Sequence, residues 1–400
     1  MRLTFKYRLL PTKAQHSAMR QSLDACRWVY NQTLEVRKTA WEQEKRSVSR
    51  YDTINMLPQW KKDKSDLRNA FSQSLQASCT RVDLAFKSFF RRVKQGADSV
   101  GYPRFKSWRR YDSFTYPQYG NGVKMRDNGK LRLSKIGAVK IKLHRPVCGN
   151  PKVVTIQRDT IGNWYACFSC EVAPNPLPPS TEVVGVDLGL TTYLMLSNGA
   201  QFERKRWLKR DEKELKRVQR RVSRLPKGSA ERRKAVKALN KVHQRIANRR
   251  KDDAHKVSRA LVNRYQIIAF EKLDIQSMTK KPVPTGEPKT KQERIEERKR
   301  KHIALGVADV AWSMTAQFTA YKAEDAGRLF VPVNPRGTTQ DCHACGVCVP
   351  KGLSVRVHRC HNCGLVMNRD LNAAKNILSR GLSTLRTTGA LEAHVIYPWE

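Results

Sequence analysis

The chain has 400 residues and carries 78 lysines and arginines against 35 aspartates and glutamates, a formal net charge of +43. Basic residues are spread along the whole chain, and so large an excess predicts nucleic acid as the partner. A basic membrane-surface protein is disfavoured, because the sequence has no long amphipathic stretch with a bulky apolar face and no lipidation signal. A chain of this length also exceeds one compact core, which predicts about two to four domains.

The N-terminus and the cysteines predict a cytoplasmic protein, associated with the nucleoid when it binds DNA. Arg2, Lys6 and Arg8 interrupt the first apolar run, which is unlike a signal peptide. No uninterrupted apolar stretch is long enough to span a bilayer. Six of the ten cysteines are scattered without disulfide-like spacing, as expected in a reducing compartment.

The first elements are predicted from apolar periodicity. Alternating apolar residues over 3–9 indicate a half-buried strand, which Pro11 ends. The segment Thr12–Gln15 has the form of a capping box and opens a long amphipathic helix. A second amphipathic helix over 71–93 carries arginines on its opposite face. A helix bundle with a solvated face explains the apolar positions, whereas the excess of arginine favours a nucleic-acid contact.

The region from 112 to 180 is rich in strand signals and is predicted to form a β-barrel-like module with the first strand, so that the helices are an insertion. Aromatic and basic residues alternate at its start: Trp108, Arg109, Arg110, Tyr111, Phe114, Tyr116 and Tyr119. These aromatic rings either stack on unpaired bases or belong to the core. Cys167 and Cys170 lie in a strand-like run, so we expect them on opposite faces without a metal. Prolines between 174 and 179 predict a stiff linker.

A second block follows the prolines as an alternation of strands and helices. Its predicted elements are three strands over 183–203, two very basic helices over 204–265 that break near Pro226, a buried strand over 265–273, a helix ending near Gly327, a strand over 329–333 and a helix opening near Asp370. The stretch 280–302 is low in apolar residues, and we expect it to be mobile.

Four cysteines near the C-terminus form two CxxC pairs: Cys342, Cys345, Cys360 and Cys363. Two such pairs can fold back so that four sulfurs meet around one Zn²⁺ ion, which would then be structural. Gly346 and Gly364 follow the pairs and permit the tight turn that each pair needs. The neighbouring His343, His358 and His361 are surplus to a filled tetrahedron, and we expect them to face solvent.

Three acidic residues lie within or at the ends of predicted strands and helices of the second block. Asp187 lies in its first strand, Glu271 ends the fourth strand and Asp370 opens the last helix, points that converge in a ribonuclease-H-like fold. Phosphodiester hydrolysis by two metals needs hard oxygen ligands that hold two Mg²⁺ ions, or Mn²⁺ in their place, about 4 Å apart. Each acid alone has a structural alternative: a buried salt bridge for Asp187, a surface pair with Lys272 for Glu271 and helix N-capping for Asp370.

Seven segments resemble the TnpB family of transposon-encoded, RNA-guided DNA nucleases, relatives of the type V CRISPR effectors. They are Tyr7–Pro11, Arg27–Asn31, Gly101–Lys106, Gly185–Gly189, Phe270–Leu273, Thr338–Gly346 and Asn368–Ala374. Together they span essentially residues 1–380. The resemblance implies that Asp187, Glu271 and Asp370 are the catalytic acids and Mg²⁺ ligands, and that the four clustered cysteines bind zinc.

The resemblance implies an α+β multidomain fold. A wedge β-barrel would carry an inserted helical recognition domain, and an RNase H-like (RuvC) α/β nuclease domain would carry an inserted zinc ribbon. The implied bounds are 1–10 and 112–180 for the wedge, 11–111 for the recognition domain, 181–337 and 367–380 for the nuclease domain, 338–366 for the ribbon and 381–400 for a C-terminal tail, either ordered or disordered.

The implied partners are a guide RNA derived from the transposon end and double-stranded target DNA, with guide pairing supplying sequence specificity. A short transposon-adjacent motif would be read on the duplex, and Tyr51 and Gln76 align with this contact. Gln can bond adenine bidentately, although an exposed helical Gln usually contacts nothing. Ser72 stands where a basic contact is expected. The oligomeric state stays open, and a monomer is compatible with the sequence.

Two other functions compete with a nuclease. A guide-directed repressor that has lost cutting would bind the same partners, but the three acids are intact. A DNA-strand transferase would use the same metal core, because integrases and many transposases share it. The zinc ribbon inside the nuclease domain and the long basic wedge favour the nuclease.

Overall fold

The computed structural model describes residues 1–97, 100–279, 291–352 and 354–389. The chain forms two compact units, Met1–Ala173 and Pro174–Glu400, whose boundary lies at the start of the proline-rich segment. Within the described ranges, no helix is long and apolar enough to cross a membrane.

The first unit contains a seven-stranded antiparallel sheet. Its strands are β1 (Arg2–Leu10), β2 (Ser113–Tyr116), β3 (Val123–Met125), β4 (Lys130–Leu133), β5 (Gly137–Lys142), β6 (Asn150–Arg158) and β7 (Trp164–Glu171). Their order is β2-β6-β7-β1-β5-β4-β3, so the predicted first strand lies at the centre of the sheet. The sheet is a nearly closed barrel, and the Tyr116 hydroxyl of one edge strand donates to the carbonyl of Ser134, which follows β4, over 3.1 Å.

Helices are inserted between β1 and β2, as expected. They are α1 (Lys13–Glu44), α2 (Arg50–Asn55), α3 (Leu57–Asp63) and α4 (Ser72–Lys94), with a short 3-10 helix at Ser65–Asn69. The predicted capping box opens α1, since the Thr12 side chain accepts from the Gln15 backbone and the Gln15 side chain from the Thr12 backbone. The apolar faces of α1 and α4 share one core with the sheet.

The side chains of β7 alternate between the core and the opposite face. Cys170 is buried, whereas Cys167 is half-buried on the other side of the strand. The expectation that the two cysteines lie on opposite faces of the strand is therefore confirmed.

The second unit is built on a mixed five-stranded sheet. Its strands are β8 (Val183–Leu188), β9 (Thr192–Leu196), β10 (Gln201–Glu203), β11 (Ile267–Glu271) and β12 (Leu329–Val333), in the order β10-β9-β8-β11-β12. β11 pairs in parallel with both β8 and β12, whereas β9 is antiparallel to β8. A two-stranded ribbon of β13 (Val357–Arg359) and β14 (Val366–Asn368) follows. The parallel strands β8 and β11 therefore have their C-terminal ends at the same edge of the sheet.

Seven helices are described in this unit. They are α5 (Trp207–Arg210), α6 (Glu212–Arg224), α7 (Ala230–Arg264), α8 (Ile275–Thr279), α9 (Lys291–Val310), α10 (Trp312–Asp325) and α11 (Arg369–Thr387). The break between the basic helices α6 and α7 contains Pro226, as predicted. Helix α11 packs across β8, β11 and β12.

Two sequence expectations differ from the structure in this unit. The mobile stretch predicted for 280–302 is helical from Lys291, where α9 begins; residues 280–290 lie outside the described part of the chain. Ala311, at φ 58°, separates α9 from α10, so the predicted single helix is two helices. Charged side chains made the start of α9 look unstructured, but Lys, Glu and Arg are good helix formers.

The C-terminal helix is longer than expected. Helix α11 continues to Thr387, so the tail assigned to 381–400 begins inside a helix, and Leu385 is buried in it. Gly381 lies against Ala269 of β11, where a Cβ would be 2.6 Å from the Ala269 side chain. Residues 390–400 lie outside the described residues.

Candidate functional site

Two of the three predicted acids meet at the ends of neighbouring strands. β8 and β11 pair in parallel up to Val186 and Phe270, and the next residue of each strand is Asp187 and Glu271 respectively. Both carboxylates are buried, with 6 % and 8 % of their residue surfaces exposed. The two carboxyl groups lie close enough to interact electrostatically.

Asp370 reaches the same place from helix α11. The N-cap of this helix is Asn368, whose side chain accepts hydrogen bonds from the backbone of Asp370 and Leu371. The capping alternative for Asp370 is therefore wrong, because Asn368 caps the helix. Gly185 lets the helix lie close to β8, because a Cβ at that position would be 2.1 Å from the carbonyl oxygen of Ala374.

The pKa values of Asp187 and Glu271 are raised because the two acids are buried close together. Burial, followed by the charges of Glu271 and Asp370, raises the pKa of Asp187 well above its ordinary value. Burial raises the pKa of Glu271 to about 7. Carboxyl groups crowded in this way resist ionising together, because each negative charge disfavours the other.

Asp370 differs from the other two acids in having basic side chains close to its carboxylate. Asp370 Oδ1 lies 3.2 Å from a guanidinium nitrogen of Arg369, and Oδ2 lies 3.8 Å from Arg356. Thr338 Oγ1 donates to Glu271 over 3.1 Å. Within the described ranges, neither Asp187 nor Glu271 has a basic side chain within salt-bridge distance, so the structural alternatives proposed for them are not supported.

Sequence reasoning missed the neighbours of the acids. Thr338 and Arg356 come from the segment between β12 and β14, and the Arg356 side chain also donates to Thr191 over 3.1 Å. No periodicity marks these residues, because they lie outside the helices and strands. Arg369 lies next to Asp370 in the sequence, and this adjacency was the available signal.

The four cysteines predicted to bind zinc do come together. Their sulfur atoms all lie within 4.8 Å of one another, with Cys342 and Cys363 at 3.6 Å and Cys345 and Cys360 at 3.5 Å. When thiolates bind one Zn²⁺ ion tetrahedrally at about 2.3 Å, the distances between their sulfur atoms are similar to these. Gly346 and Gly364 have φ of 75° and 72°, in the region that glycine favours. The cluster thus suggests a structural zinc site.

The expectation for the three histidines is partly wrong. His361 is exposed and His343 is half-buried, but His358 is fully buried, and its Nδ1 is hydrogen-bonded to Lys351 Nζ. The alternation of β13 places His358 inward, between exposed Val357 and Arg359. Strand periodicity over these three residues was too short to show this in the sequence.

The cysteine segment is attached to the helix that carries Asp370. Asn372 Oδ1 accepts from the backbone of His343 over 3.0 Å, and its Nδ2 donates to the Asp341 carbonyl over 2.8 Å. Asn376 donates to the carbonyls of Thr338 and Asp341. These bonds tie the N-terminal part of α11 to the segment that supplies Thr338.

The two residues aligned with motif recognition are on the surface of the first unit. Tyr51 is 65 % exposed and lies under the guanidinium of Arg50, and Gln76 is exposed on α4. Ser72, where a basic residue was expected, accepts a hydrogen bond from Lys61 Nζ at 2.8 Å. A neighbouring helix therefore supplies the positive charge that the local sequence lacks.

Comparisons with known families match three parts of the chain. Residues 312–377 match the Cas12f1-like TNB domain, residues 167–281 match the IS605 OrfB family described as "Probable transposase", and residues 1–46 match the helix-turn-helix domain of IS605 OrfB. In the structure, residues 1–46 hold β1 and the single helix α1.

Two relatives match nearly the whole chain. The "Putative RNA-guided DNA endonuclease" of Streptomyces pristinaespiralis is 34% identical over 95% of this chain and 89% of its own length. The "Putative RNA-guided DNA endonuclease InsQ" of Escherichia coli (strain K12) is 32% identical over 95% of this chain and 92% of its own length. The solved structure of the mini-RNA-guided endonuclease CRISPR-Cas_phi3 covers 96% of this chain and 92% of its own, at 10% identity and a TM-score of 0.49. By these relatives and family models, the chain belongs to the TnpB family.

Proposed function

We propose that this protein is an RNA-guided DNA endonuclease of a transposable element, which cuts target DNA beside a short adjacent motif by two-metal hydrolysis. The observation that carries the proposal is the pairing of β8 with β11, which brings buried Asp187 beside buried Glu271 in a chain of net charge +43, with Asp370 of α11 near enough to raise the pKa of both. Buried carboxylates without compensation are costly. Within the described ranges Asp187 and Glu271 have no basic partner at salt-bridge distance, and this favours a divalent cation as the group that would compensate them.

The acids and their neighbours have separable roles in this reaction. Asp187 and Glu271 present carboxylate oxygens from the ends of two rigid strands, and Asp370 presents its own from the start of α11. Mg²⁺ ions held by these oxygens would supply an activated water and would stabilise the leaving oxygen. Thr338 orients Glu271 through its hydrogen bond, and Arg369 does the same for Asp370.

The partners follow from the charge and from the names of the relatives. The two long relatives are named RNA-guided DNA endonucleases. We assign this chain a guide RNA from the transposon end and duplex target DNA, held largely by phosphate contacts. Tyr51, Gln76 and the Lys61–Ser72 pair form the proposed contact with the adjacent motif. The proposed wedge, recognition, nuclease and ribbon domains keep the bounds stated above, except that the nuclease helix extends to Thr387.

The decisive experiment separates cleavage from binding. Asp187→Ala, Glu271→Ala and Asp370→Ala each remove one metal ligand but leave the phosphate contacts intact. Each variant should lose cleavage of a target library by several orders of magnitude while keeping guide-dependent binding in a gel-shift. Glu182→Ala is the matched control, because Glu182 is an exposed acid of the same unit paired with Arg264.

The outcomes also separate the competing functions. If wild-type protein binds target but never cuts with Mg²⁺ or Mn²⁺, the guide-directed repressor replaces the nuclease. If it joins purified transposon ends to DNA without a guide, the strand transferase does. Cleavage by Asp187→Ala at the wild-type rate would remove the assignment of the catalytic site.

A further inference from the structure

Trp108 is an exposed aromatic residue on the first unit. It is 59 % exposed, and the guanidinium of Arg109 lies 5.0 Å from its ring centroid. Tyr111, Phe114 and Tyr116 of the same aromatic run are buried in the core. The structure thus divides that run between core residues and one large ring that solvent can reach.

A cavity of about 280 Å³ opens beside the Trp108 ring, and we call it the Trp108 cavity. Its lining residues are Arg20, Leu23, Asp24, Arg27, Trp108 and Arg158. Three arginines therefore face one aspartate in a small space. The size is near the lower limit of about 300 Å³ for small-ligand sites.

The charge of the Trp108 cavity is not compensated within the described part of the chain. Asp24 lies 3.5 Å from Arg27, whereas Arg20 and Arg158 have no acidic group within 4.0 Å there. The Nε atom of Arg27 is buried without a hydrogen-bond partner. Guanidinium groups favour phosphate, which accepts several of their hydrogen bonds at once.

We propose that the Trp108 cavity binds one unpaired nucleotide of a nucleic-acid strand. The base stacks on the Trp108 ring, and Arg20, Arg27 and Arg158 hold the adjacent phosphate. An aromatic ring beside arginines suits a nucleotide because every base has a planar face and every linkage carries a negative charge. The inference rests on the proposed function only in that the strand belongs to the guide RNA or to the DNA.

The first test maps contact directly. The full chain is mixed with an oligouridine RNA of about 12 nucleotides containing 4-thiouridine, or with the matching thymidine DNA containing 4-thiothymidine, and irradiated. We expect the peptide containing Trp108 to be labelled at least about 5-fold more than the peptide containing Trp41. Trp41 is the matched control, since it is 56 % exposed in the same unit with Lys45 near its ring. The more strongly labelling probe identifies the strand; equal labelling of both peptides would overturn the proposal.

The second test distinguishes stacking from charge. Trp108→Ala should weaken binding of the oligouridine by about 5-fold or more, the loss of one stacked base, but leave binding of an abasic oligonucleotide of equal length unchanged. Trp108→Phe should restore most of the affinity, and Trp41→Ala should have no effect. Arg20→Ala combined with Arg27→Ala should weaken binding of both probes. An equal effect of Trp108→Ala on both probes, or none on either, would reject the site.

Cleavage is not needed for either measurement. Inactive Asp187→Ala protein should label at Trp108 as the wild type does. Failure of the Trp108 cavity and failure of the nuclease assignment are therefore distinguishable.

Discussion

The buried carboxyl group of Asp187 lowers the stability of the folded protein. Its raised pKa, and that of Glu271 at about 7, mean that the folded protein binds protons more tightly than the unfolded chain. For carboxyl groups shifted in this direction, the cost to stability is complete above the folded pKa and disappears as pH falls toward the unfolded value. In EDTA the folded protein should therefore become more stable as the pH falls from about 7 to about 5, because the cost from these two groups disappears.

Asp187→Asn should remove this cost. In EDTA at about pH 7.5, the variant should melt a few degrees higher than the wild type, because each kcal/mol corresponds to about 2–4 °C in a domain of this size. The difference should shrink at about pH 5, and Mg²⁺ should stabilise the wild type only. Asp66→Asn, at an exposed carboxylate, is the control for thermal denaturation. A variant less stable than the wild type in EDTA at neutral pH would contradict the repulsion between the acids.

Helix α11 depends on a close approach to the sheet. A Cβ at Gly185 would lie 2.1 Å from the Ala374 carbonyl oxygen and 2.6 Å from the Leu378 nitrogen, both backbone atoms that cannot move alone. Gly185→Ala should cost about 1–3 kcal/mol by overpacking and displace Asp370 from Asp187. We expect cleavage to fall far more than RNA binding. Gly101→Ala, where nothing lies within 4 Å, should leave the melting temperature and the cleavage rate near the wild-type values.

The cysteine cluster should need all four of its thiolates to hold zinc. Cys345→Ser and Cys363→Ser should each lower zinc content, measured by elemental analysis, because a structural site needs all four thiolates. Loss of zinc should also loosen the segment that bonds Asn372 and Asn376, and therefore reduce cleavage. Cys348→Ser is the matched control, since Cys348 is exposed in the same segment but outside the cluster. Full zinc content in both cluster variants would rule out the site.

The whole molecule is dominated by its charge of +43. If phosphate contacts hold the RNA, the logarithm of affinity should fall linearly with the logarithm of salt concentration, with a slope of several units in magnitude. Replacing Lys213, Arg217 and Arg220 together by Gln should reduce that slope, since these residues line one basic groove of α6. Filter binding at several salt concentrations measures both slopes. An affinity that is flat from low to moderate salt would exclude phosphate contacts as its main source.

Several helices and strands and the cysteine cluster could be predicted from short stretches of the sequence. The period-two pattern of β1, the capping box at Thr12, the bounds of β12 and the cysteine spacing depend on neighbours a few residues apart, and each is confirmed. The family resemblance named the acids, because its motifs are short and contiguous. What these segments do not specify is which distant residues lie beside them.

Only the tertiary structure decided those neighbours. The parallel register of β8 and β11 brings Asp187 beside Glu271, and the packing of α11 adds Asp370, across gaps of more than eighty residues. Packing also buried His358 and left Trp108 exposed while Tyr111 entered the core. Periodicity reports which face of an element is apolar, whereas burial of one side chain depends on what the rest of the fold places against it.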